Sequence, residues 1–198
     1  MSSILYRYGH NYYINLTNRC PCECTFCYRY IHDSIGDSDS LWLQKEPSAD
    51  EVMAAIAEAG VTASDNVVFC GFGEPTERLD VLVEVARRVR SGIGSKVRLD
   101  TNGLGNLVNG RDILPELAEV LDAVSISLNA PDAEEYGELT RCRFDPGTAY
   151  AELLDFIRRS KELIGDVTVS VVGGTISGDS EKRCRDIADQ MQVRFRVR

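Results

Sequence analysis

The sequence predicts an α/β fold, a partial (β/α)6 TIM barrel whose mostly parallel sheet of six strands stays open, and three observations predict it. Strand-like and helix-like segments alternate from end to end, the pattern of a parallel sheet with crossover helices. The length, 198 residues, falls short of the ~250 that a closed eight-stranded barrel takes and suits six strand-helix units. Most of the strands also alternate polar with apolar residues, where parallel strands covered on both faces read as nearly continuous apolar runs. No Pro/Ser-rich linker or shift of composition divides the chain, so residues 1–198 are read as one domain.

The elements follow in order. The first strand is Tyr12–Thr17, directly before a cluster of cysteines. A helix starts at Ser48, whose spacing to Glu51 makes a capping box. It carries Val52, Ala55, Ile56 and Ala59 on one face and stops at Gly60. The second strand, Asn66–Cys70, ends in Gly71-Phe-Gly-Glu-Pro75, and a helix over 77–90 places Leu82, Val85 and Val89 at helical spacing. Strand three, Lys96–Thr101, meets an Asn102-Gly103 turn; a short helix over 113–120 leads to strand four, Ala123–Asn129. A helix over 150–163 precedes strand five, Val167–Val172, and a last helix over 180–192 precedes strand six, Val193–Arg198.

Side chains alternate faces along a strand. Tyr13, Asn15 and Thr17, then Arg98 and Asp100, then Ser125, Ser127 and Asn129, then Thr168 and Ser170, and finally Arg194, Arg196 and Arg198 fall on one side. With the apolar set packed under the helices, the polar set lines the barrel interior. Buried polar groups are costly unless satisfied, so such a lumen implies a polar ligand.

Composition excludes more than it names. With 43% hydrophobic and 27% charged residues the chain is an ordinary globular protein. Its net charge of −9 repels phosphate backbones and anionic headgroups, which disfavours nucleic acid and membrane partners. The start, from Met1 to His10, lacks the apolar run of a secretory signal, and no stretch reaches the ~18 apolar residues of a membrane span. The expected location is the cytoplasm.

Seven cysteines are present, and four of them crowd into Cys20 to Cys27 while Cys70, Cys142 and Cys184 stand alone. A secreted disulfide framework spreads its cysteines more evenly, so the cluster points to metal in a reducing compartment. Cys20, Cys24 and Cys27 have the spacing C-x3-C-x2-C, and thiolates in so short a loop can wrap three corners of a 4Fe-4S cubane and leave one iron open. A structural zinc site normally asks for four ligands, and His10 and His32 are isolated. Cys22, between the ligands, is read as a bystander that could in principle replace one of them; the three single cysteines are read as small buried hydrophobes.

The run Cys20-x3-Cys24-x-Phe26-Cys27, placed just after the first strand, resembles the signature of the radical S-adenosylmethionine (SAM) superfamily. The resemblance implies a 4Fe-4S cluster on Cys20, Cys24 and Cys27, with SAM as the second cofactor. It places Phe26 near adenine and the backbone of Tyr28 on the adenine amino group. Gly71-Phe-Gly-Glu-Pro75 is similar to the family's Gly-Gly-Glu-Pro segment, so the backbone of Gly71, Gly73 and Glu74 is expected on the amino group of the methionine part. Leu99-Asp-Thr-Asn-Gly103 is similar to the strand-three ending of glycyl-radical activating enzymes, which brings in Asp100, Thr101 and Asn102, with Asp100 a possible helper in binding a cation. Ser125, Ser127 and Asn129 lie where the family places ribose and carboxylate contacts, and Val172 where strand five packs on adenine. Arg196, with Arg98, is expected to pair with the SAM carboxylate or an anionic substrate; Arg141 and Arg143 are looser candidates.

Within the superfamily, the opening Tyr-Arg-Tyr-Gly, the run from Asn18 to Cys27 and the Phe-Arg-Val-Arg end look most like the TatD-associated radical SAM proteins. The activity implied is reductive cleavage of SAM to methionine and a 5′-deoxyadenosyl radical, which abstracts hydrogen from an unidentified small-molecule or protein substrate. The expected electron donor is a flavodoxin or ferredoxin. Three other readings stand beside it: an activating enzyme for a partner protein, an enzyme resembling carboxy-deazaguanine synthase, and an iron-sulfur electron carrier or sensor that binds no SAM.

Overall fold

The computed structural model describes residues 3–198; Met1 and Ser2, which open the stretch read for a leader, lie outside the described residues. Seven strands follow chain order across the sheet: β1 (Leu5–Tyr8), β2 (Asn11–Ile14), β3 (Asn66–Phe69), β4 (Lys96–Thr101), β5 (Ala123–Ser127), β6 (Val167–Val171) and β7 (Arg194–Val197). This is a mostly parallel open sheet in an α/β fold, the strand sequence of a partial TIM barrel. The six expected strands are all present. The seventh, β1, is an addition at the edge, antiparallel to β2.

The cause of that addition is local. Leu5-Tyr-Arg-Tyr8 and Asn11-Tyr-Tyr-Ile14 are two short β-prone runs separated by Gly9-His10, and Gly9 takes φ +60°, which only glycine adopts without cost. The two-residue spacing was the hairpin signal in the sequence.

The described residues form two compact units. The first holds residues 3–20, 28–100 and 119–122. Its β2, β3 and β4 are parallel, with Tyr6, Tyr13, Val68 and Arg98 in one cross-strand row. The opposite row of Ile14, Phe69 and Leu99 is wholly buried. Helix α1 (Ala49–Glu58) begins with the expected capping box: the Glu51 amide donates to Ser48 Oγ at 3.2 Å and the Ser48 amide to Glu51 Oε2 at 2.8 Å. It packs on α2 (Leu79–Gly92), which buries Leu82, Val85, Ala86 and Val89; the leucine and the two valines each contribute about 1.5–3 kcal/mol. α2 starts later than expected, because Pro75–Arg78 forms a separate 3-10 turn with proline in its first turn.

The second unit holds residues 21–27, 101–118 and 123–198. Here β5, β6 and β7 are parallel, with Ser125, Thr168 and Arg194 in one row and Ser127, Ser170 and Arg196 in the next. Five helices accompany the strands: α3 (Gly105–Asn109), α4 (Leu114–Val120), α5 (Ala133–Thr140), α6 (Pro146–Leu163) and α7 (Gly178–Gln190). α3 and α5 are absent from the sequence reading. α3 is a single turn, and α5 announces itself chiefly by its cap, the Asp132 carboxylate accepting from the Glu135 amide at 3.0 Å. α6 starts earlier than expected, at Pro146, behind the Asp145 cap. Among the described residues no helix is long and apolar enough to cross a membrane.

Candidate active site

In the first unit, the chain leaving β2 stays buried through Asn15, Leu16 and Thr17 before it reaches Cys20. Asn15 Nδ2 donates to the Leu41 carbonyl at 2.7 Å and Thr17 Oγ1 to Glu46 Oε1 at 2.5 Å. These polar residues therefore spend their bonds on the 41–46 segment rather than on an open interior, although Asn15 Oδ1 is buried without a hydrogen-bond partner. Glu46 also accepts from Arg19 Nε at 2.8 Å and from Arg78 Nη1 at 3.1 Å. Burial acts to raise the Glu46 pKa, but the bonds from Arg19 and Thr17 and the two guanidinium charges outweigh it and hold it below the usual glutamate value. Glu46 thus ties the residue before Cys20 to the 3-10 turn. It has no helical or strand periodicity, and the sequence reading missed it.

The Gly71–Pro75 segment lies against this exit. The Glu74 amide donates to the Arg19 carbonyl at 2.8 Å. A Cβ on Gly71 would overlap the Asn15 side chain, and one on Gly73 would overlap the Thr17 and Arg19 carbonyls. The glycines are required by this close approach of two backbones. The Glu74 carboxylate caps the 3-10 turn, accepting from the amide and hydroxyl of Thr76 at 3.2 and 2.9 Å. Phe72, between the glycines, turns inward against Trp42, with ring centroids 5.2 Å apart. Arg29 Nη1 reaches the Asn18 and Phe72 carbonyls at 3.3 and 3.4 Å, and the exposed Tyr28 ring stacks on His32 at 4.3 Å.

Asp100 is not an open carboxylate. Arg98 Nε and Nη2 engage its two oxygens at 2.7 and 3.2 Å. Burial lowers the Arg98 pKa, but Asp100 and a bond to Tyr13 more than offset it, so the guanidinium stays charged. The same pair commits Arg98, expected as a partner for a ligand carboxylate.

In the second unit, the 21–27 loop runs beside the segment that ends α5. The Thr25 amide donates to the Leu139 carbonyl at 2.9 Å, the Glu23 amide to Thr140 at 3.0 Å, and the Arg143 amide to Pro21 at 2.8 Å. The Cys27 amide closes a turn onto the Cys24 carbonyl at 3.0 Å. Cys24, Phe26 and Cys27 are half-buried, whereas Cys22 is 3% exposed. Cys142 contacts Cys22 through a side-chain hydrogen bond, which outweighs burial and brings the Cys142 thiol down to about 6. Cys184 behaves as a buried hydrophobe should, pushed up to about 12 by burial.

Asn102 sits beside this loop, its Nδ2 3.8 Å from Cys22 Sγ while its Oδ1 accepts from the Leu104 amide at 2.9 Å. Thr101 Oγ1 accepts from the Gly103 amide at 3.1 Å. Ser125 and Ser170 are buried on the β5–β6 face, and Ser127 Oγ accepts from Arg198 Nη2 at 2.9 Å. Asn129 follows β5 in a left-handed conformation, φ +61°, held by its amide on the Ser170 carbonyl at 3.2 Å. Asn129 Oδ1 and Ser170 Oγ are both buried without a hydrogen-bond partner. Val172 is half-buried just beyond β6, and Arg196 is exposed on β7 in the row of Ser127 and Ser170. Among the described residues no three His, Cys, Asp or Glu side chains converge as a single-ion site requires. A cubane asks for a wider arrangement, since each thiolate binds a different iron.

The chain is 36% identical over 137 residues to a "Probable GTP 3′,8-cyclase" of Methanopyrus kandleri, covering 67% of this chain and 38% of the relative. It is 35% identical over 136 residues to a "GTP 3′,8-cyclase" of Corynebacterium glutamicum, covering 65% and 33%. The chain thus spans about a third of the length of these relatives. Among solved structures, Streptococcus suis SuiB bound to S-adenosylmethionine superposes with a TM-score of 0.65 at 18% identity, over 93% of this chain and 39% of that one. TYW1 with a lysine-pyruvate adduct gives 0.60 at 16% identity, over 96% and 65%. These two show a shared fold. A sequence profile of the Radical SAM superfamily matches residues 14–190, and the chain belongs to that superfamily.

Proposed function

We propose that this chain is the core of a radical SAM enzyme, which cleaves SAM reductively and abstracts hydrogen from its substrate. The observation that carries the reading is the cysteine triplet Cys20, Cys24 and Cys27, spaced C-x3-C-x2-C at the exit of β2 within the matched residues. Members of the superfamily use a 4Fe-4S cluster and SAM. When bound, these groups supply one-electron cleavage of the sulfonium and the hydrogen abstraction that follows.

The residues present fit both groups. All seven cysteines are thiols rather than disulfides, the state from which a thiolate ligand forms. The buried Asn129 Oδ1 and Ser170 Oγ ask for hydrogen-bond partners that the protein does not provide, and the hydroxyls and amino groups of SAM are such partners. The chain's own tasks in this reading are to bind and orient. Cys20, Cys24 and Cys27 hold the cluster. Phe26 and Val172 flank adenine, the backbone of Tyr28 meets its amino group, the backbone of Gly71, Gly73 and Glu74 receives the amino group of the methionine part, Ser125, Ser127 and Asn129 take ribose and carboxylate, and Thr101 and Asn102 contribute from the end of β4. Arg196 is exposed and supplies the positive charge for a carboxylate. Asp100 serves by holding Arg98 in place.

The reading assigns the TatD-associated subgroup on the run from Asn18 to Cys27 and the Phe-Arg-Val-Arg end. The curated relatives carry a different name, GTP 3′,8-cyclase, over about a third of their length. The electron donor in this proposal is a flavodoxin or ferredoxin, and the substrate is a small molecule or a protein.

The test is anaerobic reconstitution, reduction with dithionite and addition of SAM, followed by chromatography. The wild-type chain releases 5′-deoxyadenosine, and the Cys20→Ala, Cys24→Ala and Cys27→Ala variants release none. A reduced, cluster-loaded wild-type protein that releases none is an electron carrier instead.

A further inference from the structure

Cys22 and Cys142 are far apart in sequence and adjacent in the second unit, and neither has a task in the chemistry above. Their adjacency is fixed by backbone. The bonds from the Glu23 amide to the Thr140 carbonyl and from the Arg143 amide to the Pro21 carbonyl bracket Cys22 on one segment and Cys142 on the other. Arg141, left-handed at φ +46°, ends α5 and turns the chain so that this pairing begins. A hydrogen bond joins the Cys142 and Cys22 side chains, and Asn102 Nδ2 lies 3.8 Å from Cys22 Sγ.

We infer that Cys22 and Cys142 form a dithiol redox site, which takes up oxidising equivalents from a low-molecular-weight disulfide and becomes an intrachain disulfide. The two thiols differ in access. Cys22 is buried, and Cys142 is half-buried, so an incoming disulfide meets Cys142 first.

The exchange balances in two steps. The Cys142 thiolate attacks one sulfur of the small disulfide, forming a mixed disulfide and releasing one small thiolate. The Cys22 thiol then attacks Cys142 Sγ, its proton passing to the departing sulfur, which leaves as a small thiol. The protein pair loses two electrons, and the small disulfide gains them as two thiols. The new bond staples the 21–25 loop to the 139–143 segment and withdraws Cys22 from competition with its neighbours for iron. This site stands on the packing of the second unit and does not depend on SAM chemistry.

The experiment uses the full chain, purified anaerobically, exposed to oxidised glutathione, alkylated at acid-quenched time points and digested with pepsin without reduction. Mass spectrometry of the wild type shows a Cys22–Cys142 linked peptide as the dominant intrachain disulfide. Cys22→Ser traps glutathione on Cys142, and Cys142→Ser yields no linked peptide and leaves position 22 a thiol. Linkage of Cys142 to position 20, 24 or 27, or glutathione spread over all the cysteines with no Cys22–Cys142 peptide, overturns the inference.

Discussion

Arg19 donates from Nε to Glu46 Oε1 at 2.8 Å, one residue before the first cysteine of the triplet. Glu46→Gln keeps the shape but removes the charge shared with Arg19, Arg78 and Thr17. Charge-assisted bonds contribute about 1.5–3 kcal/mol, and the partial exposure of this network brings the expected loss to about 1 kcal/mol. Urea denaturation measures it. The Glu46 pKa is lowered in the folded state, so its contribution is complete above the ordinary value of 4.5. It fades as pH falls through the lower folded value, and the gap between wild type and variant narrows in acid. Reconstituted Glu46→Gln also retains less iron on gel filtration, because Cys20 loses its anchored neighbour.

Asp100→Asn leaves the half-buried Arg98 guanidinium without its counter-charge. The expected cost is about 2 kcal/mol, below that of a fully buried pair because both side chains keep some exposure. Thermal unfolding detects it. Replacing both residues with apolar ones recovers most of the loss, whereas unchanged stability in the single variant contradicts the pair's role.

Gly73→Ala sets a methyl group against the carbonyls of Thr17 and Arg19, and backbone atoms there cannot yield. Overpacking of this kind costs about 1–3 kcal/mol. Gly178→Ala, at the start of α7, meets nothing within 4 Å and is the control, expected within about 0.5 kcal/mol of wild type.

Ser170→Ala separates stability from binding. Its buried hydroxyl makes no hydrogen bond in the protein, so removing it stabilises the unliganded chain by a few tenths to about 1 kcal/mol. SAM affinity measured by equilibrium dialysis on the reconstituted protein falls several-fold. Destabilisation together with unchanged affinity is the pattern the account does not allow.

Much of the fold was legible because periodicity reports burial. Lys96–Thr101 is legible to the residue, since the buried Val97, Leu99 and Thr101 alternate with more exposed partners. The capping box at Ser48 was equally plain. The β1–β2 hairpin, α3 and α5 were not, because each is short and depends on a turn or cap rather than on a repeating face. The site divides the same way. The cysteine spacing is local and readable, as is the placing of Arg98 and Asp100 on one face of β4, whereas the Glu46 network and the Cys22–Cys142 contact join residues whose meeting is set by packing. The polar alternation predicts an open lumen, but Asn15 and Thr17 serve the 41–46 segment, and within the alternating polar set, among the described residues, the buried side-chain atoms without a partner are Asn15 Oδ1, Asn129 Oδ1 and Ser170 Oγ.

Electron paramagnetic resonance of the anaerobically reconstituted, reduced chain, recorded before and after SAM is added, addresses the open iron itself. A 4Fe-4S signal that shifts on addition of SAM, survives in Cys22→Ala and disappears in Cys24→Ala is the expected result. A signal indifferent to SAM, or one lost in Cys22→Ala, would mean a fully thiolate-bound cluster with no vacant corner.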